Sequence, residues 1–256
     1  MIIMQNRSLF LKILSAVIIF GAWEIGGRSG VSFAFPPFSE SMAAFLSLVI
    51  DGTMFKAYAE TLKPLVVGII ISATLGISLG IWIGLSDKFD WLVSPIFIVM
   101  QAAPIAALIP LLIMVYGIGL TSKVFVVIII SIPVIVLNTS SAVKNTPTNI
   151  KEMAKAFQGK DIDVILKIIL PSSSPIIFAG LRLGVSAGFI GAILAELKIT
   201  PTGVGDIISY SRSIADYPSM YAAIFSIILL AVLFLNVLEK IENFLFKGNN
   251  QGYASE

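Results

Sequence analysis

The sequence predicts an all-α membrane protein with six transmembrane helices. Three observations carry this. Charged residues make up only 12% of the 256 residues, against about 25% in soluble domains. The chain is 57% hydrophobic, with a mean hydropathy of +0.97. Six apolar segments, near 9–26, 62–84, 92–115, 121–141, 175–197 and 221–240, are long enough to cross a hydrocarbon core about 30 Å thick at about 1.5 Å of rise per residue. Only helices and closed barrels satisfy their backbone in lipid, and these runs are too long and too evenly apolar for barrel strands.

The first segment follows Arg7 and Lys12, as a signal peptide would, but no A-x-A site follows it, so it is expected to be a retained helix. Residues 27–61 form the longest outer connection. In it, Phe35-Pro36-Pro37-Phe38 predicts a rigid turn, and 39–50 a short surface helix capped by Ser39 or Ser41. The second segment carries small residues every fourth position, Gly68, Ser72, Gly76, Gly80 and Gly84, and the fifth repeats the device with Gly180, Gly184, Gly188 and Ala192. Such stripes let helices approach closely in lipid, either within one subunit or at a subunit interface. Pro104, Pro110 and Pro133 predict kinks in the third and fourth segments.

Counting Lys and Arg with the N-terminus inside gives ten on the cytoplasmic side (Arg7, Lys12, Lys88, Lys144, Lys151, Lys155, Lys160, Lys167, Lys240, Lys247) and six outside (Arg28, Lys56, Lys63, Lys123, Lys198, Arg212). Arg182 falls within the fifth segment. The bias predicts that both termini are cytoplasmic. The division expected is 1–54 as first helix and outer connection, 55–245 as the transmembrane domain with a cytoplasmic loop at 142–172, and 246–256 as a polar tail.

The chain has no Cys and no His. Disulfides, thiolate or imidazole metal sites and histidine acid–base chemistry are excluded, and no cofactor is expected. A net charge of +2 gives no reason to expect a nucleic-acid partner. No G-x-x-x-x-G-K-[ST] occurs, so an ATP-driven function needs a second polypeptide. Polar residues within apolar segments, Gln101, Asn138, Arg182 and Glu196, are candidates for a translocation path; the alternatives are inter-helix bonds for Gln101 and Asn138, a headgroup-anchored arginine for Arg182 and a solvated helix end for Glu196.

The stretch 147–175 departs from its apolar surroundings. Asn149 with Glu152 predicts a helix N-terminus, and Ile150, Met153, Ala154 and Phe157 fall on one face of that helix. Gln158-Gly159 breaks it. A second helix starts at Asp161, repeats the spacing with Ile162, Ile165, Leu166 and Ile169, and should end at Pro171. From pattern alone, the pair either lies on headgroups or docks in a partner's groove.

These residues resemble the cytoplasmic motif of bacterial ABC-transporter permeases of the binding-protein-dependent class. Glu152 and Ala154 match it, with Met153 between them, and Ile168, Leu170 and Pro171 fall in register. The motif glycine is replaced by Gln158, with Gly159 one place late. The chain is most similar to the nitrate, sulfonate and taurine permeases, through Ala22-Trp23-Glu24, Phe35-Pro36-Pro37, Pro104 to Leu111, Gly117 and Gly119 with Ser122-Lys123, Gly180-Leu181-Arg182-Leu183-Gly184, Ala195-Glu196, and Gly203 with Gly205. The resemblance implies the type I ABC importer permease (MetI-like) fold in the inner membrane. It implies that Ile150, Glu152, Met153, Ala154, Phe157, Gln158, Gly159 and Pro171 belong to a coupling helix and its joint, docked on an ATPase subunit. Two ATPase copies, a second permease copy, the lipid bilayer and an extracytoplasmic substrate-binding protein are the implied partners, and the chain itself is no enzyme. A stand-alone secondary transporter would need mid-membrane ionisable residues and inverted repeats, and an intramembrane enzyme a Ser–Lys or Asp–Asp pair at depth; neither is evident.

Overall fold

A computed structural model describes residues 2–30, 32–147, 149, 152–153, 161–199 and 201–246. All regular structure among the described residues is helical: α1 (Ile2–Arg28), α2 (Phe38–Ile50), α3 (Thr53–Leu85), α4 (Asp87–Ala102), α5 (Ile105–Tyr116), α6 (Leu120–Lys144), α7 (Asp161–Val164), a π-helical turn (Ile165–Ile169), α8 (Leu170–Lys198), α9 (Gly203–Ser213) and α10 (Tyr217–Phe246). Five of the six predicted segments each lie on a single helix, and the third, 92–115, falls across α4 and α5. Among the described residues, four helices are long and apolar enough to cross a membrane (α3, α6, Ile162–Lys198 and α10), and α4 with α5 makes a fifth span if that bent pair is counted as one. The chain divides into two compact units, Met1–Glu60 with Pro201–Ile228, and Thr61–Thr200 with Leu229–Glu256.

In the first unit, two of the sequence signatures touch. The indole N–H of Trp23 donates to the carbonyl of Pro36 at 3.0 Å. The Glu24 carboxylate accepts from the amide and the hydroxyl of Ser39, each at 2.9 Å, and from Arg28 Nε at 2.6 Å. Glu24 therefore serves the start of α2 in the place expected of Ser39 or Ser41: the cap position is Pro37, without a side-chain cap bond, and Ser41 donates back to the Pro37 carbonyl instead. A remote carboxylate is a strong acceptor for the orphan amides of a helix start. Gly27 lets the turn pass, since a Cβ there would lie 2.5 Å from the Pro37 backbone. Phe20, Phe38, Phe45 and Phe225 complete the cluster, with Phe20 and Phe38 stacked at 4.6 Å.

The second unit is built around α6, the most buried of the candidate spans. The glycines of α3 and α8 set its geometry. A Cβ on Gly68, Gly76, Gly80 or Gly84 would meet Val127, Ile135, Thr139 or Val143 at 2.5–2.9 Å. The pairs advance together along both helices, so α3 and α6 run parallel. On the other side, Gly180 faces Asn138, Gly184 faces Ile135, Gly188 faces the Ser131 hydroxyl and Gly191 faces Val127, so α8 runs antiparallel to α6. Ser72, in the same stripe, is fully buried. Both stripes thus pack within one chain. Phe97 of α4 joins Ile83, Ile132 and Val136 in one apolar cluster, and Ile109 of α5 joins Val126, Ala195 and Ile199 in another.

Two prolines act differently from expectation. The third segment is not one kinked helix: α4 and α5 meet at 99° across Ala103-Pro104. Ala103 is extended (φ −67°, ψ 138°), as the residue before proline prefers, and Pro104 starts α5. Pro171, by contrast, ends nothing. Helix continues from Ile162 to Lys198 because the π turn before the proline shifts the bonding, with Leu170 N–H donating to the Ile165 carbonyl. The carbonyl that Pro175 leaves unbonded, that of Pro171, accepts from the Ser174 hydroxyl at 2.8 Å.

Candidate functional site

The later part of the charged segment, from Ile162 on, is the start of the continuous helix just described. Val164, Ile165 and Ile169 pack with Ala142, Val143 and Ile177, anchoring its lower end between α6 and α8. Ile162 and Leu166 lie 59% and 56% exposed on the other side of the same turns. Lys167 pairs with Asp163 at 2.7 Å on the surface. Of the coupling residues expected from the sequence, Glu152 and Met153 are helical and exposed, Asn149 likewise, and Pro171 is exposed at the start of α8. Ile150, Ala154, Phe157, Gln158 and Gly159 lie outside the described residues. Met153, Ile162 and Leu166 are thus exposed apolar side chains within the charged stretch of sequence.

The four polar candidates within the apolar segments divide. Asn138 donates through Nδ2 to the Val134 carbonyl at 2.7 Å and lies against Gly180. Arg182 faces Glu242 at 3.4 Å and Glu239 at 3.8 Å, tying α8 to α10. Glu196 is 2% exposed and accepts from the hydroxyl of Thr61, itself fully buried, at 3.0 Å. Burial excludes a solvated helix end for Glu196. Gln101 is exposed, one residue before the end of α4.

Lys123 is 4% exposed, so it is not the outer solvent cation that the charge count made it. The antiparallel register of α6 and α8, extended one turn past Gly191 and Val127, brings Glu196 level with Ser122 and Lys123. An isolated charge is costly in such a place, and opposite charges at one level offset that cost. Sequence reasoning missed this buried level; the register of the glycine stripe was the signal that could have found it. Ser122 also donates to the Gly117 carbonyl, fixing a turn in which Gly117 adopts φ +77°. Among the described residues no group of His, Cys, Asp and Glu is arranged to hold a metal ion.

The family model for binding-protein-dependent transport system inner membrane components matches residues 72–245. The chain belongs to this family. This permease is 26% identical to a putative aliphatic sulfonates transport permease of Bacillus subtilis over 93% of its own length and 87% of that protein's. It is 30% identical to a nitrate import permease of Leptolyngbya laminosa over 60% of its length and 56% of that protein's. It is 26% identical to a formylaminopyrimidine transport permease of Halalkalibacterium halodurans over 87% and 89% of the two chains. Its fold is that of the inward-facing MetNI methionine ABC transporter's membrane chain, with a TM-score of 0.62 at 17% identity over 75% of this chain and 96% of that one. The permease is thus a MetI-like, multi-pass inner-membrane subunit of an ABC importer, working with an ATPase and a binding protein.

Proposed function

We propose that two copies of this permease pair, bind two ATPase subunits through 142–172, and take up a small solute by alternating access. The single observation that carries the coupling role is the exposed apolar surface of Ile162 and Leu166 at the charged end of a helix that runs without a break from Ile162 through its apolar span to Lys198. A rigid helix transmits a displacement at one end to the other. Closure of two ATPases on ATP shifts the equilibrium through their differential affinity for the state with the loops close together. Ile150, Glu152, Met153, Ala154, Phe157, Gln158, Gly159 and Pro171 form the docking segment and its joint. The permease itself performs no bond chemistry; ATP hydrolysis belongs to the separate subunit.

The proposed topology has six spans, with 9–26 as the first and both termini cytoplasmic. The domain division is 1–54, 55–245 and the tail 246–256. The solute class is that of the similar permeases: nitrate, a sulfonate such as taurine, or a vitamin precursor. Gln101 is assigned to the path, and Asn138, Arg182 and Glu196 to holding the helices that frame it. Photocrosslinkers at Met153 and Leu166 test the docking reading. Crosslinks to an ATPase chain are expected; crosslinks to lipid alone at both positions would refute it.

A further inference from the structure

We propose that the break between α4 and α5 is part of the wall of the water-filled solute path, and that its exposed backbone serves a small polar solute that both donates and accepts hydrogen bonds. The inference rests on the permease reading and adds a site to it.

Depth is the first premise. Met100, in the last turn of α4, packs in the cluster that contains Ile128, Ile132 and Val136 of α6. Ile128 is eight residues into α6, about 12 Å along the axis of a helix that spans the hydrocarbon. The break therefore lies within the bilayer's thickness.

Bonding is the second. Across the break, Ala103 N–H donates to the Met100 carbonyl at 3.3 Å and Ala107 N–H to the Pro104 carbonyl at 2.9 Å. The ends of two helices leave more groups than that. The amides of Ile105 and Ala106 and the carbonyls of Gln101 and Ala102 depend on an outside partner. Gln101, Ala102, Pro104, Ala106 and Ala107 are all exposed, so the described residues of the same unit leave the break uncovered.

Lipid is the one neighbour that cannot serve. Each unsatisfied backbone group in hydrocarbon costs several kcal/mol, and non-helical backbone at this depth occurs only inside protein or along a water-filled cavity. Discontinuous helices elsewhere present such groups to solute. The exposed amide side chain of Gln101 adds a donor and an acceptor beside them. Here the free groups include both amides and carbonyls, which matches a solute with both hydrogen-bonding senses.

The absence of cysteine in the chain makes the test direct. Gln101→Cys, Ala102→Cys and Ala103→Cys are made one at a time, with Ile70→Cys and Ile190→Cys as controls at positions 60% exposed on unbroken apolar helices. Membrane vesicles containing the chain and its native partners are treated with sulfonatoethyl methanethiosulfonate, which is charged and does not enter lipid. The break positions are expected to react at least about tenfold faster than the controls, because a thiol in lipid stays protonated and unreactive. Rates as slow as the controls at all three positions, from both faces of the vesicle, would overturn the proposal, whether lipid or a second copy covers the break. Gln101→Cys keeps the test readable if replacing either alanine disturbs the bend. Vanadate trapping of the ATPase is expected to change the rates at the break and not at the controls; equal rates in both states would remove the break from the path. An unreactive break in a chain that co-purifies with an ATPase sinks this inference alone, whereas a reactive break in a chain that binds none sinks the permease reading.

Discussion

Gly80→Ala adds one methyl group at the tightest point between α3 and α6. The new Cβ would lie 2.5 Å from Thr139 Cβ, 2.8 Å from its Cγ2 and 2.8 Å from the Val136 carbonyl oxygen. Carbon atoms in contact prefer about 3.5–4.0 Å, so the helices must separate by about 1 Å. Rotamer change gives no relief, because two of the three obstacles are a β-carbon and a backbone oxygen. Overpacking of this kind costs about 1–3 kcal/mol, and the stripe repeats the contact at Gly76 and Gly84, so separation at one point loosens its neighbours. For a chain of this size, about 2 kcal/mol corresponds to a fall of roughly 4–8 °C in Tm. Gly21→Ala supplies the contrast, since nothing lies within 4 Å of a Cβ there; removing a helical glycine should leave Tm unchanged or raise it by the equivalent of about 0.5–1 kcal/mol. Both variants would be followed by thermal unfolding in detergent and by size-exclusion chromatography, with Gly80→Leu expected to lose the monodisperse peak altogether. Equal Tm values for Gly80→Ala and the parent chain would refute the close-approach account of the stripe.

Glu152→Lys is expected to abolish uptake while leaving membrane insertion intact; normal uptake by the variant would remove Glu152 from the coupling surface. Thr61→Val deletes the donor to a buried carboxylate, and a hydrogen bond to a charged group contributes about 1.5–3 kcal/mol, so Tm should fall, while Thr61→Ser should retain most of it. Arg182→Gln breaks a partly exposed pairing and should cost no more than about 1 kcal/mol; a stable variant that no longer transports would instead place Arg182 on the solute path. Ser131→Ala removes a fully buried hydroxyl whose oxygen has no hydrogen-bond partner, so stability should hold or rise, as read by the same unfolding assay.

The positions of the helices were legible because an apolar run is a one-dimensional property: five of the six runs each lie on one helix, and the third falls across α4 and α5. The outcome at each proline was not. Pro104 breaks a span, Pro110 and Pro133 sit inside unbroken helices, and Pro171 is passed by a π turn. The local rule is the same at each, so the packing of α4 and α5 against different parts of α6 decides among them. Glu196 and Lys123 looked like helix ends because they stand near the edges of apolar runs; their burial depends on how α3, α6 and α8 align, which no single segment contains. The glycine spacing announced close approach, and the structure supplies the partner helices. For Trp23, Glu24 and Pro36, the family motifs were visible as separate words, and the contact between them is what the fold adds.

The most direct test of the account is the company the chain keeps. The tagged permease would be solubilised gently from native membranes and its partners identified by mass spectrometry, with ATP hydrolysis measured on the same sample. A co-purifying chain with a Walker-type ATP site and vanadate-sensitive hydrolysis is the predicted result. A chain that purifies alone or only with itself, without ATPase activity, would contradict the coupling role assigned to 142–172.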